Sequence, residues 1–598
     1  MNVSEYIVKY AEDVMEIERA YVIVGGATLW LNKALSQAKK LKFTFTNHEQ
    51  PAVMSADGFG RISGKPGFAC VTNGPALTNT VTAMAQAYVD SSPLVLLTGD
   101  SSLSSVQYER EKGVRQYGTQ DVRTDLIMQG VTKKFYTLDD PSKTAEVITE
   151  AFYLASHGRP GPVCINIPIN IQSAQCPCAF PPEPYEPEAH KIDRSAVQHI
   201  LDRLVQAKRP LILAGQGVRL SESVDLFAQF IEKMDIPVVN SRMGIDTIET
   251  DSRYFAGRCG NHGYRSSHFA LETCDDLLIL GSRLAPNTTG YNVPAFSPQS
   301  YKMLVECDPK EFSKYGTPID ELVEGDIHDF LTQALEIIEE DHLLGQHASW
   351  VNCCEDWKKR YPIMQEKYYS KDIINSYYLV DTVTRCAKEN DIVIADTGSS
   401  CSVVAQAWHV KKGQRVFISG GLSAMGYWAT SMGLAQANHG TGQVICFVGD
   451  GSLQMNIHEY ATIEKNQIPV KLFVVSNDGY QFVRMSQSSY DINPTFGTDL
   501  KDGVPIPNIE KVTKAYGLEY MSCADPAKLE GIVQEVLAKE GPVVCEVFVS
   551  KDLEVEPRIR SFANPDGSFR MPTYENLYPW LDEETLEYEM KKPFVSEE

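Results

Sequence analysis

Residues 449–477 read GDGSLQMNIHEYATIEKNQIPVKLFVVSN, and two side chains within them, Asp450 and Asn477, carry hard oxygen donors. Mg²⁺ takes such oxygens together with those of a phosphate. Gly449 and Gly451 flank the aspartate, and glycine lets the backbone bring N–H groups up to an anion at a helix start, where the partial positive charge favours it. The combination points to a metal-held diphosphate. A G-D-G triplet also occurs in ordinary turns, so the surrounding elements must carry the reading. Residues 444–448 and 470–475 are apolar runs that read as parallel strands joined by a helix. Such a unit delivers both donors to the carboxyl ends of neighbouring strands, the edge where open α/β sheets bind ligands.

The same rhythm recurs along the chain. Short apolar strands bounded by glycine or proline and separated by helical stretches predict three α/β domains with parallel sheets. The first, 1–185, has strand cores at 21–24, 67–72, 94–98 and 163–167 and closes on CPCAFPPEPYEPE, whose composition reads as a linker. The second, 190–345, carries RPLILAGQGV, IPVVNS, DDLLILGSR and KMLVECD, and the third, 370–552, carries DIVIADTG, QVICFVGDG, VKLFVVSND and PVVCEVFVS. Between them HASWVNCCEDWKKRYP begins a polar, helical connection. A proline-punctuated acidic tail, 553–598, is expected to wrap over a surface or a partner subunit. A faint repeat links the ends: TNGPALTNTVTAMAQAYVDSSPLVLLTGD from Thr72 and VGDGSLQMNIHEYATIEKNQIPVKLFVVSND from Val448 share strand end, glycine turn, helix, proline and strand.

A chain of 598 residues exceeds the roughly 250–300 at which single cores stop growing. Its 43% hydrophobic and 22% charged residues are ordinary globular values. The formal net charge of −23 argues against nucleic acid or an anionic membrane as partner, and no apolar run approaches the length of a membrane span. The first residues, MNVSEYIVKYAEDVMEIERAYVIVGG, carry acids throughout and read as an amphipathic helix and a strand, without the pattern of a signal peptide. Fourteen cysteines are scattered, many inside apolar strands, which fits reduced core thiols of a cytoplasmic protein. Cys176 and Cys178, and the adjacent Cys353 and Cys354, lack the second pair that a zinc site would require.

The spacing of Asp450 and Asn477, with Pro469 before the second strand, resembles the thiamine-diphosphate fingerprint of the acetohydroxyacid synthase and pyruvate oxidase superfamily. A second segment, TNHEQPAVMSADGFGRISGKPGFACVTNGPALTNTVTAMAQAYVDSSPLVLLTGD from Thr46, resembles the pyrimidine-binding domain of the same superfamily. The resemblance covers about residues 1–550. It implies that Asp450, Asn477 and the carbonyl of Gly479 hold Mg²⁺, and that Gly449, Gly451, Ser452, Asp396 and Gly398 lie around the diphosphate. Ser452 would cap the helix or bind phosphate. Met425, in SGGLSAMGYWA, would be the apolar prop on which the cofactor bends, and Gln120, in YGTQDVRTDLIMQGVTKKF, would face the reactive carbon. Glu49 would hydrogen-bond the aminopyrimidine ring. A carboxyl shared with a ring nitrogen stabilises the imino form, whose freed nitrogen can take a proton. In this family the glutamate of one subunit serves the cofactor held by another, so a homodimer or homotetramer is expected.

The central region resembles the family's central domain in AGQGVR, GRCGNHG and LGSR. Acetohydroxyacid synthases bind FAD there, with Gly257, Gly260 and His262 in the matching loop. The following LAPNTTGYN lacks the paired aspartates of flavin-binding members, so FAD stands as one alternative and a domain without cofactor as the other. The implied chemistry is decarboxylation of a 2-oxo acid, pyruvate first, with transfer of the acyl fragment to a carbonyl acceptor. Acetohydroxyacid synthases carry a tryptophan after the metal asparagine where NDGYQFVRMSQSSY has Ser486. That segment, the ADTG loop and the tail PDGSFRMPTYENLYPWLDEE resemble members from surface-polysaccharide and unusual-sugar pathways, whose acceptor is a keto sugar or another aldehyde or ketone. The alternatives are acetolactate synthesis, simple decarboxylation, and a non-catalytic member with a binding or assembly role.

Overall fold

Three six-stranded, all-parallel sheets organise the described residues. The computed structural model describes residues 1–187, 191–313, 316, 318–490, 492–552, 554–560, 562–563, 569–570 and 573–595. The first sheet contains β1 (Arg19–Val22), β2 (Lys42–Phe45), β3 (Gly67–Val71), β4 (Leu94–Asp100), β5 (Lys134–Thr137) and β6 (Pro162–Pro168), in the order β2-β1-β3-β4-β6-β5. The second contains β7 (Pro210–Ala214), β8 (Val238–Asn240), β9 (Phe255–Arg258), β10 (Asp276–Leu280), β11 (Tyr301–Glu306) and β12 (Glu321–Glu324), ordered β12-β11-β10-β7-β8-β9. Read from its own first strand this is the 3-2-1-4-5-6 order of dinucleotide-binding folds. The third contains β13 (Ile392–Ala395), β14 (Arg415–Ile418), β15 (Val444–Gly449), β16 (Val470–Ser476), β17 (Glu519–Cys523) and β18 (Val543–Phe548), ordered β14-β13-β15-β16-β18-β17. It repeats the strand order of the first.

The four inner strands of every sheet coincide with apolar runs visible in the sequence. Both edge strands of every sheet (β2 and β5, β9 and β12, β14 and β17) are additions to that reading. The reason is burial. Inner strands such as β3, β4, β6, β7 and β10 are covered on both faces and buried throughout, which selects continuous apolar runs. β2, β5, β12 and β17 are partly exposed and mix charged with apolar residues.

The first and third sheets are fastened together through helices. The helix Glu49–Ser63, capped by the His48 ring on Gln50 N and stopped by Gly64 in the left-handed region at φ 71°, packs against the helix Thr430–Ala437. The backbones approach closely: a Cβ on Gly58 would lie 2.4 Å from the Thr430 carbonyl oxygen, and one on Gly433 would lie 1.8 Å from that of Ser55. One apolar cluster spans both sides, from Tyr21, Val53 and Met54 to Trp428, Met432 and Val474.

The tail lies against its own chain. The Tyr574 ring stacks on His268 with centroids 3.9 Å apart, and Trp357 donates to Glu589 on the helix Glu583–Val595 at 2.9 Å. Parts of the tail, 553, 561, 564–568, 571–572 and 596–598, and the linker end at 188–190 lie outside the described residues.

Candidate active site

Parallel pairing of β15 with β16, with Val444 opposite Val470 and Gly449 opposite Val475, brings Asp450 and Asn477 side by side at the carboxyl edge of the third sheet. Asp450 is 1% exposed. Its carboxylate accepts from the N–H of Gly451 at 2.7 Å, of Asn477 at 2.9 Å and of Gly479 at 3.2 Å. Burial still pushes its pKa up to about 6. Asn477 is 3% exposed, and its Nδ2 donates to Gln481 Oε1 at 2.9 Å. That bond engages the amide nitrogen, while Oδ1 is buried and has no hydrogen-bond partner among the described residues; the main chain of the same residue adjoins Asp450. An orphaned buried oxygen next to a carboxylate is costly unless a cation or donor completes it.

The glycines of the turn differ in what they admit. Gly479 has φ 126°, and a Cβ there would lie 2.3 Å from the Thr498 carbonyl oxygen. A Cβ on Gly451 would lie 2.5 Å from the Tyr480 ring, whereas one on Gly449 would meet only Ser400 Oγ at 4.0 Å and one on Gly398 nothing within 4 Å. Gly398, φ 84°, directly precedes the helix Ser399–Ala407.

Behind the turn, Asp396 is fully buried and organises the neighbouring loop. Its Oδ1 accepts from Thr397 N at 2.6 Å, and its Oδ2 accepts from Ser452 Oγ at 2.8 Å and Trp428 N at 3.3 Å. Burial raises its pKa to about 6. The Ser452 hydroxyl also accepts from Gly426 N at 2.9 Å, and Asn456 Nδ2 donates to the Gly426 carbonyl at 2.8 Å. Ser452 thus ties Asp396 to the loop that presents half-buried Met425, and it makes no side-chain cap on its own helix.

The carboxyl edge of the first sheet gathers a second group. Glu49 is half-buried at the start of its helix, and its Oε2 accepts from Asn79 Nδ2 at 2.9 Å. Gln120 is exposed with φ 62°. Its carbonyl is seated so close to Gly74 that a Cβ there would lie 1.9 Å from it, while Asn73 Nδ2 donates to the Thr119 carbonyl at 3.1 Å. The glycine turn after β3 therefore holds the Gln120 loop, as the one after β15 holds the metal-type donors. No hydrogen bond joins the Glu49 carboxylate to residues 396–479 among the described residues.

In the second sheet a cleft of about 430 Å³ opens at the strand ends, lined by Gly217, Arg159, Arg242, Arg283, Glu306 and Gly420 among others. Gly257 and Gly260 do not open onto a void. Cβ atoms there would strike Ser266 and Tyr264, and the Asn287 carbonyl. His262 stacks on Phe482 with centroids 5.7 Å apart, and burial lowers its pKa to about 3.

Three residues join the site that motif reading passed over. Gln481, the first residue of the helix Gln481–Ser489, orients Asn477 from beyond the turn between them. Arg484 Nη2 donates to the Asn477 carbonyl at 3.1 Å. Glu459, on the third domain, leaves no local signal.

A diphosphate-type turn on one sheet, a half-buried glutamate on a sheet of the same topology, and a dinucleotide-type sheet between them define a class: multidomain α/β enzymes that hold a large phosphorylated cofactor. The comparisons name it. Residues 1–126 match the family model for the thiamine pyrophosphate enzyme N-terminal TPP binding domain, 197–334 that for its central domain, and 396–547 that for its C-terminal TPP binding domain. The chain belongs to the thiamine pyrophosphate enzyme family, in the acetohydroxyacid synthase and pyruvate oxidase superfamily, and is a thiamine-diphosphate-dependent carboligase or decarboxylase. It is similar to the acetolactate synthase isozyme 1 large subunit of Escherichia coli (strain K12), 29% identical over 558 residues covering 93% of this chain and 95% of that one. The acetolactate synthase large subunit of Lactococcus lactis subsp. lactis (strain IL1403) is 28% identical over 566 residues, covering 92% and 93%. That of Porphyra purpurea is 27% identical over 545 residues, covering 90% of each chain. Among the described residues no helix is long and apolar enough to cross a membrane.

Proposed function

We propose that the protein decarboxylates a 2-oxo acid, pyruvate first, and ligates the fragment to an aldehyde or ketone other than a second pyruvate, a keto sugar among the candidates. The observation that carries this reading is the helix Gln481–Ser489. It starts beside Asn477 and carries exposed Ser486, where the resemblance to acetohydroxyacid synthases calls for tryptophan. A serine leaves room and a hydroxyl for a polar acceptor. Products formed from pyruvate with and without sugar and simple carbonyl acceptors test it; acetaldehyde alone under every condition would refute ligation. Acetolactate synthesis is the second reading, supported by relatives of that name aligned over 90% or more of both chains. Acetolactate from pyruvate alone, undiminished by other acceptors, would establish it instead.

In this reading Asp450, Asn477 Oδ1 and the Gly479 carbonyl hold Mg²⁺, and open Gly449 and Gly398 admit the diphosphate. The residues fit the ion: one carboxylate, one orphaned amide oxygen and one carbonyl are hard oxygen donors, and Mg²⁺ takes such sets with phosphate. When bound, thiamine diphosphate supplies the electron sink that decarboxylation requires. Glu49 would share its proton with the aminopyrimidine ring, Gln120 would face the reactive carbon, and Met425, whose neighbour Gly426 is held by Ser452 and Asn456, would prop the cofactor. Asp396 positions that prop.

The Glu49 carboxylate meets Asn79 rather than the turn of its own chain, which supports a site shared between subunits of a homo-oligomer. Exposed Tyr117, Leu126, Leu422, Tyr490 and Phe496, on the segments around Gln120, Met425 and the Asn477 helix, supply apolar surface for it. Specific activity that survives dilution to monomers would exclude the shared site. The central cleft, lined by Arg242, Arg283 and Glu306 among others, leaves FAD and a domain without cofactor as the two alternatives; visible flavin absorbance in the purified protein decides between them. We also propose the limits 1–185, 190–345, 370–552 and 553–598 for the domains, and a cytoplasmic location.

A further inference from the structure

We propose that Glu459 is a positioning residue for Glu49, acting from the third domain on the loop that leads into the Glu49 helix. This rests on the reading of Glu49 as the group that addresses the cofactor ring.

Glu459 is fully buried. Its Oε1 accepts from the main-chain N–H groups of Asn47 at 2.9 Å and His48 at 3.1 Å, the two residues immediately before Glu49. Its Oε2 accepts from the Thr462 hydroxyl. Asn47 Nδ2 donates to the His458 carbonyl and to Thr462 Oγ1, both at 3.3 Å, and the His48 and His458 rings lie 5.7 Å apart. N–H groups at a helix entry have no partner within the helix and need one from outside. Here a carboxylate from another domain supplies it, and the same N–H groups replace the water that the buried charge has lost. The arrangement fixes the direction in which the chain enters the helix, and so where the first side chain of that helix, Glu49, projects. Glu459 also ends the 3₁₀ stretch Gln454–Glu459, which follows the helical turn Asp450–Leu453 and runs on into the helix Tyr460–Asn466. One run of residues therefore connects the metal-type turn to the loop that presents Glu49.

The test compares three variants. Glu459→Gln keeps an oxygen acceptor for both N–H groups, Glu459→Asp withdraws the carboxylate by one methylene, and Glu459→Ala removes it. Displacement of a reacting group by about 1 Å can cost on the order of 100-fold in rate. The Asp and Ala variants are therefore expected to lose about 10- to 100-fold in turnover per cofactor-loaded site, with cofactor Kd within about threefold of the parent. Amide exchange at residues 46–52 of the cofactor-free protein should rise in both, and Gln should restore exchange protection and most of the turnover. If Ala fails to fold, Asp and Gln carry the comparison. A lowered Tm with unchanged turnover per loaded site in the Asp variant would make Glu459 a domain fastener and overturn the proposal. So would a loss of cofactor affinity that accounts for the whole loss of turnover. Glu49→Gln runs alongside: unchanged turnover there removes the underlying reading of Glu49, whereas loss there with an unaffected Asp variant removes the positioning role alone.

Discussion

The first and third sheets share one strand order, second-first-third-fourth-sixth-fifth counted from each sheet's own first strand, yet their carboxyl edges are built for opposite tasks. On the third, Asp450 and Asn477 are 1% and 3% exposed, and neighbouring main-chain N–H groups and Gln481 hold them rigidly. On the first, Glu49 is half-buried and Gln120 exposed, and the carboxylate accepts from the Asn79 side chain. Topology places a site at that edge in both cases. Burial of the turn residues then decides whether the edge is a closed clamp or an open face that presents groups to something else. A clamp suits a metal and a diphosphate, whose charges need fixed donors; an open face suits a ring that must exchange protons.

The comparison predicts two separable failures. Asp450→Ala should abolish Mg²⁺-dependent cofactor retention, a loss greater than the about 100-fold at the upper end for outer-shell partners, measured by calorimetric titration. Retention at parental affinity would break the assignment of the clamp to the third sheet. Glu49→Gln should instead retain cofactor and lose turnover by about 10²–10⁴-fold, the usual range for removing acid–base catalysis. Equal losses of binding and turnover in that variant would erase the distinction between the edges. A smaller effect sharpens it: Gln481→Leu frees the Asn477 amide to rotate and should weaken Mg²⁺-dependent cofactor binding by about 10- to 100-fold, with the fold intact by circular dichroism.

Much of this was legible in the sequence, for a physical reason that also explains the gaps. Inner strands of a parallel sheet are buried on both faces and write themselves as apolar runs, so the four inner strands of each sheet, and the placing of Asp450 and Asn477 at the carboxyl ends of neighbouring strands, can be read directly. Edge strands such as Lys42–Phe45 and Glu519–Cys523 have one solvated side and carry charges, which blurs them into loops. The glycine turns at 74 and 451 are legible because a close approach admits no Cβ, of the Gln120 carbonyl in the first and of the Tyr480 ring in the second. The contacts of Glu459 are not. Its N–H partners lie 412 and 411 residues away, and no local periodicity records a bond made across two domains. The fastening of Gly58 to Thr430 and of Gly433 to Ser55 is of the same kind.

The last contrast between the edges is a matter of protons. Burial lifts the Asp450 carboxyl from its ordinary value of 3.8 to about 6. A folded pKa above the unfolded one means that its contribution to stability is complete below pH 3.8 and is lost as pH rises through about 6. The cofactor-free protein therefore gives up some stability over that interval. Mg²⁺ requires the ionised form, so cofactor binding runs the other way and weakens by about tenfold for each pH unit below 6, with one proton released on binding. The difference in Tm between loaded and cofactor-free protein should accordingly widen from pH 5 to pH 7. Glu49→Gln should keep this pH dependence, because the titrating group belongs to the third sheet. A Tm difference that is flat across that range, or one that Glu49→Gln flattens, would move the controlling proton away from the clamp and onto the open face.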